Sequence, residues 1–345
     1  MTHRSQSPPR PSVALALPLA GVLALAGCGA TPAAEVIAGD GVLCDISQRL
    51  AADDLTVGCL LQPDDDPHQF RLTPEQSRAM GQARLVLING YGLTPALARQ
   101  SGGEGGAVAV AELAVPQSPL LENGHGHGHG DGDGDGDGHG DSHDQSHAQD
   151  ERDPHVWHDP RQAAAMVGLI SERLQALDPA AAGRIQQRSA AMQQVLEQLH
   201  QWNRRQFASI PGRPILATGH RAFASLARAY RLQELPLVDG SSSSDVLRPQ
   251  ELEAVLGQLR QRQVPSLLAE QLPPSRAMAR ISTLSGVPLA QAPLVADGLA
   301  PAEAGIPPNL ISTLTANTCL IAASLQGRCD SQAQQQLISR WLAIR

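Results

Sequence analysis

The sequence predicts an α/β protein of two lobes, each with a mainly parallel sheet flanked by helices, joined by one long linker helix. Three observations carry this. Short apolar runs bounded by Gly, Pro or Asp alternate with stretches of helical period in both halves of the chain. One uninterrupted helical pattern, with Ile185, Met192, Val195, Leu196 and Leu199 on one face, lies between the halves. The chain has 345 residues, of which 42% are hydrophobic, enough for two separate cores. Aromatics are only 2%, so those cores are built from Leu, Val, Ile and Ala.

In order along the chain, residues 40–62 read as strand, helix, strand: Gly41-Val42-Leu43-Cys44 extended, Ile46 to Ala52 helical, Leu55 to Leu61 extended. Thr73-Pro74 starts a helix, with Thr at the cap and Pro at the first position. Arg84 to Gly90 is a buried strand ending in a turn, and Val108 to Leu113 reads as another short strand. A helix follows Asp159-Pro160, and the long helix runs from about Ala180 to Phe207. Ile215 to Thr218 is a strand, with a helix beginning near His220. Leu235 to Val238, Pro265 to Ala269 and Val287 to Leu294 are extended; Pro249 to Arg262, Ser275 to Ser285 and Asn309 to Leu325 are helical.

The domain organisation expected from this pattern is an export signal at 1–27, a tether at 28–37, a first lobe at 38–179, a linker helix at 180–209 and a second lobe at 210–345. The signal reading rests on Arg4 and Arg10 before an apolar run, Val13 to Ala24, too short to span a membrane. Leu25-Ala26-Gly27-Cys28 has the form of a lipobox, which makes Cys28 the expected lipidation site and the protein an exported one, in the periplasm or at the cell surface. No later stretch is long and apolar enough to span a membrane. Export sets the reading of Cys44, Cys59, Cys319 and Cys329: an even number in an oxidising compartment suggests two disulfides. Three connectivities are possible; Cys44–Cys59 and Cys319–Cys329 are the simplest because their members lie close in sequence, and buried free thiols are the alternative.

Residues 123–150 hold six His, seven Asp and nine Gly and almost nothing apolar, so they are expected to form a disordered loop. Its His125, His127, His129, His139, His143 and His147 suit weak capture of borderline cations at several places. The formal charge of −8 argues against a nucleic-acid partner, which needs a basic surface. All 26 basic residues are arginine, which excludes a Walker A lysine and a Schiff-base lysine.

Four loops that follow expected strands, or the His-rich segment, carry candidate ligands. They are Asp66-Pro67-His68, Asp153-Pro154-His155, Thr218-Gly219-His220 and Ala296-Asp297-Gly298. In α/β lobes, ligands bind outside the carboxyl ends of strands. Three imidazoles and one carboxylate suit a tetrahedral Zn²⁺ or a related ion. His158 caps a helix, points away from the site or serves as an auxiliary ligand; Glu270 is an expected interface residue, and His200 a solvated helix residue.

These motifs, with Asn89-Gly90-Tyr91-Gly92-Leu93 and Thr218-Gly219-His220-Arg221-Ala222-Phe223, resemble the metal-specific solute-binding lipoproteins of ABC importers, and the zinc-binding members in particular. The resemblance covers roughly residues 38–345. It implies a metal site between the lobes, with His68, His155 and His220 as ligands and Asp297 at the carboxylate position. It also implies zinc as the transported ion, a membrane permease as partner, and a monomer without enzymatic activity. A manganese- or iron-binding homologue, a zinc-dependent hydrolase and a surface metal buffer or adhesin are the alternatives. The hydrolase lacks an H-E-x-x-H motif and a paired general base.

Overall fold

The computed structural model describes residues 34–63, 65–100, 106–121, 152–238, 247–302 and 306–345. The expected signal, Cys28, and the whole 123–150 segment with its six histidines lie outside them. Among the described residues, no helix is long and apolar enough to cross a membrane.

The first sheet has four parallel strands, β1 (Val36–Ala38), β2 (Val57–Cys59), β3 (Leu85–Ile88) and β4 (Val108–Ala109), in the order β2-β1-β3-β4. Ala38 pairs with Cys59 on one side and Leu87 on the other. Parallel neighbours need crossovers, and α1 (Gly41–Ala51), α2 (Pro74–Gln82) and α3 (Pro95–Gln100) supply them. The Thr73 cap of α2 is a full capping box with Gln76.

Three readings of this region change. Gly41 to Cys44, expected as strand, is the first turn of α1, because Asp40 is extended and its carboxylate accepts from Leu43 N at 2.9 Å. The strand lies earlier, at Val36–Ala38, so the sheet begins inside the expected 28–37 tether. The 108–113 strand shrinks to two residues, since α4 (Val110–Ala114) follows at once.

Next come α5 (Pro160–Leu177), capped by Asp159, and α6 (Ala182–Ala208), the expected long helix. The second sheet pairs β5 (Ile215–Thr218) in parallel with β6 (Gln233–Pro236), with α7 (Ala224–Tyr230) between them. It extends only through single parallel bridges, Thr218 to Leu268 and Leu267 to Leu289. Pro265, Pro288 and Pro293 withhold ladder donors from the strands expected there. Helices α8 (Pro249–Arg262), α9 (Arg276–Ser285), α10 (Leu310–Ser324) and α11 (Ser331–Leu342) complete the fold.

One core lies on the first sheet, where Leu43, Ile46, Leu87, Trp157, Met166 and Ile170 meet Ile185 to Leu199 of α6. A second gathers Phe207, Leu216, Phe223, Leu226, Leu268, Leu294 and Ile321. Each fully buried aliphatic side chain contributes about 1.5–3 kcal/mol. Helix α6 feeds both of these cores, and so does α10, with Leu310, Ile311 and Leu314 in the first and Ile321 in the second. Leu337, Ile338 and Trp341 of α11 also pack into the first core, although the expected division puts them in the second lobe. The reason is a buried tie: Asp45 Oδ2 of α1 accepts from Trp341 Nε1 and from Leu310 N, both at 2.9 Å.

Two disulfides are present, Cys44–Cys59 between α1 and the end of β2, and Cys319–Cys329 between α10 and the segment before α11. His200 is buried rather than solvated, with Nδ1 3.0 Å from the Tyr230 hydroxyl.

Candidate metal centre

Each candidate side chain sits in a loop fixed by its own hydrogen bonds. After β2, Asp66 Oδ1 accepts from His68 N at 2.9 Å and its Oδ2 accepts from Gln69 Nε2 at 2.8 Å, an Asx turn that sets the His68 backbone. At the end of β3, Asn89 Nδ2 donates to Pro154 O at 2.9 Å and holds the Asp153-Pro154-His155 segment. Val156 and Trp157, next in sequence, are anchored in the first core.

After β5, two half-buried carboxylates clamp the His220 loop. Glu270 Oε1 accepts from Gly219 N at 2.7 Å and His220 N at 3.2 Å. Glu234 Oε1 accepts from Ala222 N at 3.1 Å and Phe223 N at 2.8 Å. The helix expected near His220 therefore starts later, at Ala224, and His220 stays in the loop. Glycine at 219 leaves room for the Glu270 carboxylate: a Cβ there would lie 2.1 Å from Glu270 Oε2 and would displace the group that holds the loop.

Asp297 follows the extended segment that ends in the second core. Gly298 turns the chain at φ +67°, and a Cβ there would lie 2.2 Å from Pro63 O. Leu299 N donates to that same oxygen at 2.6 Å. The Asp297 loop is thus docked on the loop that carries His68.

The four side chains converge. His155 Nε2 is 3.1 Å from Asp297 Oδ1, His68 Nε2 is 3.4 Å from the same oxygen, and His220 Nε2 is 3.6 Å from Oδ2. The ring centroids are 5.6–6.0 Å apart. One nitrogen or oxygen from each of the four lies within 4.8 Å of all the others, the only such His, Cys, Asp and Glu group among the described residues. The Nε2 atoms of His68 and His220 are buried without a hydrogen-bond partner. Each such orphan costs about 1–3 kcal/mol. A cation accepting both lone pairs removes that cost.

Behind the rings stand two more carboxylates. Asp153 Oδ1 lies 3.0 Å from His155 Nδ1, and Glu270 Oε1 lies 3.8 Å from His220 Nδ1. A carboxylate within hydrogen-bond reach of Nδ1 keeps the proton there and turns Nε2 towards the centre, as Asp153 does for His155; Glu270 lies beyond that reach and holds the His220 backbone instead. Neither role was legible in the sequence: Asp153 is visible only as part of Asp-Pro-His, and Glu270 reads as an interface residue.

The charges are arranged around Asp297. Burial works against its carboxylate, but the hydrogen bond with His155 and the close approach of the His68 and His220 rings hold it well below the usual carboxylate range. Burial also opposes a charged His155, yet Asp153 and Asp297 together raise it to about 10. His220 is pushed down to about 4 by burial, against the pull of Asp297. Glu270 rises to about 7 through burial.

His158 stays outside the cluster. Its Nε2 is 2.9 Å from Ala296 O, and its ring lies 4.6 Å from Phe223. It supports the Asp297 loop from below; the cap of α5 is Asp159, not His158. Three imidazole nitrogens and one carboxylate at these separations suit a four-coordinate borderline cation.

A family model described as periplasmic zinc-uptake complex component A (ZnuA) matches residues 36–324. The chain is 28% identical over 234 residues to zinc-binding protein TroA of Treponema pallidum, covering 67% of this chain and 68% of TroA. It is 24% identical over 256 residues to the manganese ABC transporter substrate-binding lipoprotein PsaA of Streptococcus pneumoniae, covering 74% and 77%. The solved structure of periplasmic zinc-binding TroA superposes with a TM-score of 0.70 at 25% identity, covering 85% of this chain and 99% of that one. Fe(III)-bound YtgA of Chlamydia trachomatis shares the fold, with a TM-score of 0.69 at 21% identity and coverage of 86% and 99%.

Proposed function

The chain belongs to the periplasmic zinc-uptake component A family, and from that premise we propose that it is the high-affinity extracytoplasmic zinc-binding component of an ABC-type importer. Proteins of this kind are metal-binding, substrate-binding transport components rather than enzymes, and they work with a membrane permease. The ion is cargo, delivered to the permease and not consumed.

The observation that carries the zinc reading is the donor set. Three imidazoles meet around the Asp297 carboxylate, with two buried Nε2 atoms unpartnered. Nitrogen-rich four-donor sites favour Zn²⁺, whereas Mn²⁺ prefers more oxygen donors. In this reading His68, His155, His220 and Asp297 bind the ion directly. Lipidation at Cys28 holds a monomer at the membrane surface, and the 123–150 histidines collect zinc at low affinity.

Manganese is the second reading, because the relative PsaA is named for that metal. Elemental analysis of protein purified without added metal, repeated with Zn²⁺ and Mn²⁺ in competition, separates the two. One zinc per chain that survives excess manganese is the expected result. Retention of manganese in the presence of equal zinc replaces the zinc reading.

A further inference from the structure

Asp153 is 0% exposed and uses both carboxylate oxygens. Its Oδ1 accepts from His155 N at 2.9 Å and lies 3.0 Å from His155 Nδ1. Its Oδ2 accepts from Ser225 N at 3.1 Å and from Ser225 Oγ at 3.0 Å. Ser225 is itself fully buried. Gln162 of α5, its amide turned so that nitrogen faces Ser225, donates to Ser225 Oγ at 3.1 Å and to Val156 O at 3.0 Å. The hydroxyl therefore has one role left, which is to donate to Asp153.

The two ends of this tie belong to different cores. Val156 and Trp157, beside His155, pack in the first core; Phe223 and Leu226, beside Ser225, pack in the second. Ser225 is also only five residues after His220. The Asp153–Ser225 pair thus fixes the spacing between the loop that carries His155 and the loop that carries His220. Pulling those two imidazoles apart stretches both Ser225 bonds, and charge-assisted hydrogen bonds of this kind are roughly twice as strong as neutral ones.

We propose that Ser225 is a positioning residue for metal retention: through Asp153 it ties His155 to the first turn of α7 and slows release of the bound ion. This rests on the metal-capture reading above. Loss of the hydroxyl leaves the four donors in place but loosens the distance between two of them. Release then accelerates while capture and stoichiometry are unchanged.

The test measures zinc dissociation from the full-length protein into excess chromophoric chelator, with association followed separately. Ser225→Ala should release zinc about 10-fold faster, the lower end of what outer-shell substitutions cost. Ser225→Thr and Ser225→Val have the same shape and differ only in the hydroxyl, so they guard against a packing or folding artefact. Ser225→Thr should release at the wild-type rate and Ser225→Val at the faster one. The Nδ1 proton resonance of His155 should move in Ser225→Val and not in Ser225→Thr, which a general loss of stability does not produce. Equal release from the Thr and Val variants overturns the proposal. Failure of the wild-type protein to hold zinc overturns instead the metal-capture reading on which it stands.

Discussion

His155 Nε2 lies 3.1 Å from Asp297 Oδ1, although the two residues are 142 positions apart. His68 approaches the same oxygen and His220 the other, so Asp297 is where the three imidazoles meet. Removing any imidazole leaves a three-donor site. His155→Ala should weaken zinc binding by more than the roughly 10–100-fold that an outer-shell change costs. Asp297→Asn keeps the shape but removes the charge and should weaken it less. Competition titration against a chelator of known affinity orders the two variants; unchanged affinity in His155→Ala sinks the ligand assignment.

Binding should release protons. His155 is raised to about 10 by Asp153 and Asp297 against the effect of burial, so the metal-free protein holds its proton at neutral pH. Zinc needs the neutral ring and displaces that proton. Affinity therefore rises with pH up to about 10 and falls on acidification. Calorimetry at pH 7 in two buffers of different ionisation enthalpy should show about one proton released per zinc. The same shift has the opposite sign for the metal-free fold. The stabilisation it provides is complete below the ordinary histidine value of 6.5 and is lost as the pH rises through about 10.

Deleting residues 123–150 should lower the number of zinc ions bound per chain and leave one tight site. Equilibrium dialysis over a range of free zinc reads both quantities. Loss of the tight site would contradict the collector reading of the histidine-rich segment.

Asp45→Ala should destabilise the protein by about 3–5 kcal/mol, because it removes a buried charge from its partners. Arg49 Nε at 2.8 Å, Leu310 N and Trp341 Nε1 all lose their acceptor. Chemical denaturation measures the change. A loss below about 1 kcal/mol would mean that α10 and α11 dock on the first core by apolar contact alone.

Asp54 links the turn after α1 to α6, through Arg184 Nε at 3.0 Å and Arg188 Nη2 at 2.6 Å. Hydrogen bonds from these arginines lower its carboxyl to about 2 from the ordinary 3.8. Its contribution is therefore full above pH 3.8 and is lost as the pH falls through about 2. Asp54→Asn should lower Tm at pH 7, and the difference from wild type should shrink between pH 4 and pH 2. A difference independent of pH would assign the effect to geometry rather than charge.

Local chemistry made much of the fold legible. Thr73-Pro74, Asp159-Pro160 and Ser275 are caps that act within one turn, and their helices begin where those residues predict. α1 starts where the sequence predicts a strand because Val42, Leu43 and Cys44 form an apolar run that suits either element. What decides it is the Asp40 cap on Leu43 N, which starts the helix inside that apolar run. α11 has a polar, glutamine-rich face and gives little signal; Trp341 and Ile338 hold it against a core built mainly from residues far upstream. The cysteines allowed three pairings, and only the approach of α1 to β2 and of α10 to the segment before α11 selects one.

The sequence by itself determined the kinds of donor and their local settings. Three histidines follow strands or proline turns, with one late aspartate before a glycine, because such motifs depend on neighbours within a few residues. Tertiary structure decided which atoms face one another. The 3.1 Å between His155 and Asp297, the orphaned Nε2 of His68 and His220, the exclusion of His158 and the Asp153 bonds to Ser225 arise from contacts 72 to 142 residues apart or from the packing around them. Those distances are fixed by how two cores close on shared helices, and no window of sequence contains both sides of such a contact.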